Sequence, residues 1–73
     1  MTEIIMIPVV SSNVDSIGYD ENTNILRIKF LNGSIYEYKN VPLIEYMQLK
    51  NATSTGSYVN RNIAHNYSYT KIA

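Results

Sequence analysis

The sequence predicts an α+β domain: an antiparallel three- to four-stranded β-meander followed by two short helices packed on one face. Three observations carry that expectation. Two stretches of period-two apolar alternation flank Asn32-Gly33, the pattern of a hairpin. Val41-Pro42 then breaks the strands, and beyond it the apolar spacing changes from two toward that of helices. The chain has 73 residues, 45% hydrophobic and 16% charged, which suits one small domain and is too apolar for intrinsic disorder.

The elements follow in chain order. Residues 4–10 form an apolar run interrupted by Pro8, read either as a covering edge strand or as an exposed edge for self-association. The run follows Glu3 rather than basic residues and is far too short to span a bilayer, so a cytoplasmic chain with no membrane contact is expected. Residues 13–20 mix β-formers with turn residues and read as a strand, and 20–24 (Asp-Glu-Asn-Thr-Asn) as a turn. Residues 25–31 alternate, with Leu26, Ile28 and Phe30 on one face and Arg27 and Lys29 on the other. After Asn32-Gly33, residues 34–39 alternate again, with Tyr36 and Tyr38 opposite Ile35 and Glu37. A first helix over 42–50 places Leu43, Tyr46, Met47 and Lys50 along one stripe, with Asn51 as its stop. Ser54-Thr55-Gly56-Ser57 offers caps for a second helix near 58–66, where Val59 and Ile63 share a face.

The hairpin admits two registers, and a slip of one residue exchanges the faces. A two-residue type I′ loop pairs Leu31 with Ser34 and sets Tyr36 and Tyr38 beside Lys29 and Arg27, an aromatic and basic face able to hold single-stranded nucleic acid. A type I turn with Gly33 as a left-handed bulge pairs Phe30 with Ser34 and Ile28 with Tyr36, gathering Leu26, Ile28, Phe30, Tyr36 and Tyr38 on one apolar face. Burial favours the second, since it keeps Glu37 in solvent while each large apolar group buried contributes about 1.5–3 kcal/mol.

Composition narrows the chemistry. There is no Cys, so no disulfide or thiolate metal site, and the single His leaves no two-His metal site. Nucleophile–base pairs are missing, no Walker A loop is present, and neither catalytic residues, metal nor cofactor is expected. Asp15 and Asp20 stand in turn-like contexts that suit capping better than acid–base work. Net charge is zero, yet residues 1–26 sum to −4 and residues 46–73, with Lys50, Arg61 and Lys71 and no acid, to +3. An anion-binding face belongs in that last third. A domain of this size is marginally stable alone, which raises the expectation of a homo-oligomer or a protein partner.

The candidate ligand or anion site is therefore Ser54, Thr55, Gly56, Tyr58, Arg61 and His65, with Lys29 and Lys50 as flanks. A helix start offers free N–H groups, Gly56 lets a ligand approach the backbone, and Arg61 lies one turn on. The plain alternative is that Ser54 or Ser57 only caps the helix, Gly56 only turns the chain and His65 only sits on a polar face. Tyr67 and Tyr69 are read as stacking groups or as anchors of the tail to the sheet.

The ordered set Ser12-Asn13-Val14, Ile17-Gly18-Tyr19, Leu26-x-Ile28-x-Phe30, Gly33-x-x-Tyr36-x-Tyr38, Val41-Pro42 and Ser54-x-Gly56-x-Tyr58, with Asn60, Ile63 and Tyr67, resembles the KTSC domain. The resemblance spans about residues 10–70 and treats 1–73 as a single such domain. The family takes its name from the C-terminus of some lysyl-tRNA synthetases and also occurs as short stand-alone bacterial proteins. The resemblance thus implies RNA or a nucleotide as a partner, by analogy with the synthetase. The family often carries a basic residue between the Ser and Gly of its later motif, where this chain has Thr55. The abundance of Asn, Ile, Lys and Tyr suggests an AT-rich bacterial or phage genome.

Overall fold

The turn at Asn32-Gly33 sets the register of the hairpin it closes. In the structure, a computed structural model that describes residues 4–73, the Phe30 N–H donates to the Ser34 carbonyl at 2.8 Å and the Gly33 N–H to the Phe30 carbonyl at 2.9 Å. Gly33 has φ +93°, a conformation L side chains rarely adopt, so this is the bulged turn rather than the two-residue loop. Ile28 consequently faces Tyr36, Leu26 faces Tyr38, and Arg27 faces Glu37. Glu3, one of the acids of the N-terminal third, lies outside the described residues.

The elements are β1 (Ile7–Pro8), β2 (Val14–Asp20), β3 (Ile25–Phe30), β4 (Ile35–Tyr38), α1 (Leu43–Lys50), α2 (Thr55–Tyr58), a π-helical stretch (Val59–Ile63) and β5 (Tyr69–Lys71). The strands form one antiparallel sheet in sequential order, β1 to β5. The α+β class and the two short helical segments on one face follow the sequence expectation; the sheet has one strand more than the largest number expected. The extra strand is β5, which returns after the helices and pairs Tyr36 with Lys71 and Tyr38 with Tyr69. The run at residues 4–10 supplies β1, paired to β2 through Ile7 and Ile17, and leaves Ile5 and Val10 in solvent.

One sheet face carries the core. Val14, Ile17, Leu26, Ile28 and Tyr38 from the strands close on Val41, Tyr46, Leu49, Val59 and Ile63. On the opposite face Arg27 meets Glu37 across the ladder at 2.5 Å, a partly buried pair.

Two helical expectations need correction. The buried residues of α1 are Tyr46 and Leu49, whereas Leu43, Met47 and Lys50 point outward. The stripe is chosen by a tertiary contact: the Tyr46 ring stacks on Tyr19 at 5.0 Å and 14°. The second helix begins at Thr55, not Tyr58, because Ser54 caps it by accepting the Ser57 N–H. Val59 and Ile63 share the buried face, as their spacing requires. The turn after Asp20 holds as read, Asp20 accepting from the Asn22 N–H and the Thr23 hydroxyl; Asp15, by contrast, lies within β2 rather than in a turn, and accepts from the adjacent Ser16 hydroxyl.

Candidate functional site

Residues 54–65 meet two open grooves. The first, about 370 Å³, is lined by Ser54, Ser57, Tyr58, Arg61 and Asn62, with Ala52 and Thr53 at its end. It brings together three of the residues singled out in sequence: Ser54, Tyr58 and Arg61. Ser54 is occupied as a cap, accepting from the Ser57 N–H at 3.3 Å and lying 3.2 Å from the Ser57 hydroxyl. Arg61 is exposed and has no ion-pair partner among the described residues. Tyr58 forms the inner wall; its hydroxyl donates to Glu45 of α1, and Tyr67 donates to the other carboxylate oxygen at 3.1 Å. Burial, and then that bond to Glu45, push the Tyr58 hydroxyl up to about 12. Burial and the same carboxylate raise Tyr67 in turn. The Glu45 carboxylate thus accepts from two tyrosine hydroxyls, one on each oxygen.

The other proposed residues are dispersed. Thr55 and Gly56 are buried rather than lining the groove. The close backbone approach that Gly56 permits is taken by the Asn13 side chain, which would collide with any Cβ there. Lys50 lies over the Tyr46 ring, its Nζ 5.4 Å from the centroid. Lys29 stands on the sheet face away from the helices. His65 belongs to the second groove.

That second groove, about 520 Å³, was not singled out by sequence reasoning. Phe30, Tyr36, Tyr38 and Tyr69 form its floor and walls, and Asn32, Ser34 and His65 its polar rim, with Ala64 leaving room between. Phe30 stands edge-on to Tyr36 at 5.6 Å, and Tyr69 tilts against Tyr36 and Tyr38 at 5.4 and 5.7 Å. Tyr38 is buried in the floor, and its burial together with the neighbouring Tyr36 and Tyr69 raises its hydroxyl's pKa. The signal that would have revealed this groove is the bulged hairpin register combined with β5, since only the return strand brings Tyr69 to Tyr36. The intervening π-helical stretch, closed by an Ala64 N–H to Val59 carbonyl bond at 2.8 Å, joins the two grooves; such stretches are frequent at functional sites.

Among the described residues no cluster of three His, Asp or Glu side chains could hold a metal ion, and no helix is long and apolar enough to cross a membrane.

Comparison with known proteins fixes the lineage. The profile of the KTSC domain matches residues 10–67. The chain belongs to the KTSC domain family. A KTSC domain protein from Yersinia pestis, solved by crystallography, superposes with a TM-score of 0.91 at 32% identity, covering 97% of this chain and 100% of that one. A protein of Tsukamurella paurometabola is 42% identical over 55 residues, 75% of this chain and 82% of its own length. Lysine–tRNA ligases of Nostoc sp. and Trichormus variabilis are 38% and 36% identical over 55 residues, 75% of this chain but only 10% of each ligase. The KTSC chain thus corresponds to a small part of those ligases.

Proposed function

We propose that this KTSC domain is a non-enzymatic binding module that takes RNA or another phosphate-bearing ligand, with Arg61 as its principal anion contact. The observation that carries the reading is an exposed Arg61 without an ion-pair partner among the described residues, set in an open groove with Ser54, Ser57 and Asn62. The stretch 46–73 that supplies this groove has no acid at all. A guanidinium presents a planar fork of donors that matches phosphate oxygens, and the Ser57 hydroxyl and Asn62 amide extend the donor set. Relatives that are ligases of lysine to tRNA carry a similar segment within a longer chain, which agrees with a nucleic-acid ligand. Catalysis has no support from side-chain placement: His65 has no nucleophile bonded to it among the described residues, Asp20 serves its own turn, and Asp15 bonds the adjacent Ser16 hydroxyl within β2.

Few cations are available, so binding is modest and salt-sensitive. For a single strand the logarithm of affinity falls by about 0.7 per phosphate contacted for each decade of salt, and Arg61→Ala removes roughly one such contact. Fluorescence anisotropy with a labelled short RNA across a salt series reads both values. Absence of binding at low salt, or an unchanged slope in Arg61→Ala, refutes the reading.

A second reading is supported by a different surface. Leu43, Ile44 and Met47 leave an apolar patch on the outer side of α1 at 44%, 59% and 48% exposure, which suits a protein partner or a second copy. Light scattering on the eluting protein decides it: a monomer at all concentrations removes the self-association half of this reading.

A further inference from the structure

The seven tyrosines divide by what their hydroxyls do. Tyr19 donates to the Val41 carbonyl at 2.5 Å, and Tyr58 and Tyr67 donate to Glu45. The hydroxyls of Tyr36, Tyr38, Tyr46 and Tyr69 make no hydrogen bond among the described residues; Tyr46 stacks on Tyr19 in the core, and the other three belong to the larger groove. Tyr69 is 56% exposed although it touches two other rings. A ring held in place by neighbours, with its outer face free, is a stacking platform rather than core filling.

We infer that the groove between Phe30, Tyr36, Tyr69 and His65 is a nucleobase pocket that takes one unpaired base of a single-stranded nucleic acid. This rests on residues other than Arg61, and it narrows the proposed ligand to single strands. A base inside a duplex is already stacked and paired, so its faces are not free for Tyr69 and Tyr36. The volume, about 520 Å³, lies in the range of small-molecule sites. The rim supplies what a base edge needs: the Asn32 amide, the Ser34 hydroxyl and the His65 imidazole donate or accept.

Charge selects an anionic polymer over the other occupant an aromatic groove could take, a proline-rich peptide. No carboxylate lines the groove. Glu37, the acid nearest in sequence, projects to the other sheet face, where Arg27 holds it. Lys71 sits directly opposite Tyr36 in the ladder and therefore shares its face, beside the rings. Lys71 does not line the groove itself, but its exposed cationic side chain on that face suits the phosphate of a strand whose base is stacked there.

Amide chemical-shift titrations of the whole chain test this with probes that separate base from phosphate. Adenosine and uridine, which carry no phosphate, should shift Phe30, Tyr36, His65 and Tyr69. An unstructured RNA hexamer should shift the same set more strongly, while a blunt-ended RNA duplex without a loop should not. Tyr69→Ala should weaken hexamer binding about tenfold, and Tyr69→Phe should leave it within about twofold, since stacking and not the hydroxyl carries the contact. Should Tyr69→Ala loosen β5, Lys71→Glu, on an exposed side chain, should still weaken the hexamer and spare the nucleosides. The inference is overturned if nucleosides shift no groove residue, if the duplex binds as well as the hexamer, or if a proline-rich peptide occupies the groove instead. A nucleoside response that persists in Arg61→Ala upholds the pocket whatever becomes of the anion contact. Hexamer binding that depends on Arg61 without any nucleoside response upholds the anion contact and ends the pocket.

Discussion

The helix-covered sheet face has a sealed end and an open end, built from different side chains. Across β2 and β3, Val14, Ile17, Leu26 and Ile28 are at most 1% exposed beneath Leu49, Val59 and Ile63. At the end of β3 and across β4 and β5, Phe30 and Tyr36 are half-buried and Tyr69 faces solvent. Branched aliphatics have no polar atom to satisfy, so they tolerate complete closure. Tyrosines have an apolar body and a polar tip, so they line a surface that must stay wet on one side. The difference separates what holds this fold together from what it offers to a ligand.

The largest effect expected from that contrast is on stability. Leu26→Ala at the sealed end should cost about 2–5 kcal/mol, and Tyr69→Ala at the open end about 1 kcal/mol or less, by urea denaturation. Comparable losses would erase the distinction. A second effect sharpens the contrast among tyrosines. The raised hydroxyl of Tyr58, at about 12 against an ordinary value of about 10, means the folded chain holds its proton more tightly than the unfolded chain. Stability is therefore full below about pH 10 and falls as pH rises from there through about 12. Thermal melts from pH 8 to 12 should show that decline, and Tyr58→Phe should lessen it, with the other raised hydroxyls, those of Tyr38 and Tyr67 among them, supplying the remainder; an equal decline in the variant would mean Tyr58 contributes nothing. The smallest effect is on the far face, where a double-mutant cycle on Arg27 and Glu37 should give a coupling of about 0.2–1 kcal/mol that shrinks with added salt.

Most of the strand order was legible because it rests on local chemistry. Gly33 made the bulge possible, and Glu37 decided between registers, since only one of them keeps that carboxylate out of the apolar face. The outward turn of Leu43 and Met47 was not legible: two stripes compete on α1, and the Tyr19 ring, 27 residues before Tyr46, selects one. β5 was hidden for a related reason. All three of its residues are exposed, so the strand shows no apolar alternation and exists only through pairing with β4. Missing it concealed the aromatic groove and left His65 grouped with Arg61, which lines the other. Arg61, Ser54 and Tyr58 were recoverable because they lie within eight positions on one helical segment.

The place of β5 in the sheet has a consequence for how the chain orders itself. Strands β1 to β4 pair with their sequence neighbours across short turns, and such contacts form early and with little entropy loss. Joining β5 to β4 instead closes the long segment between Tyr38 and Tyr69, including every helical turn, so it bears the greatest loop-closure penalty in the sheet. The wall that would meet a ligand is thus the part of the sheet whose assembly is most opposed by chain entropy. A molecule that stacks on Tyr69 acts directly on that balance, and its binding free energy reappears as added resistance of the last strand to opening.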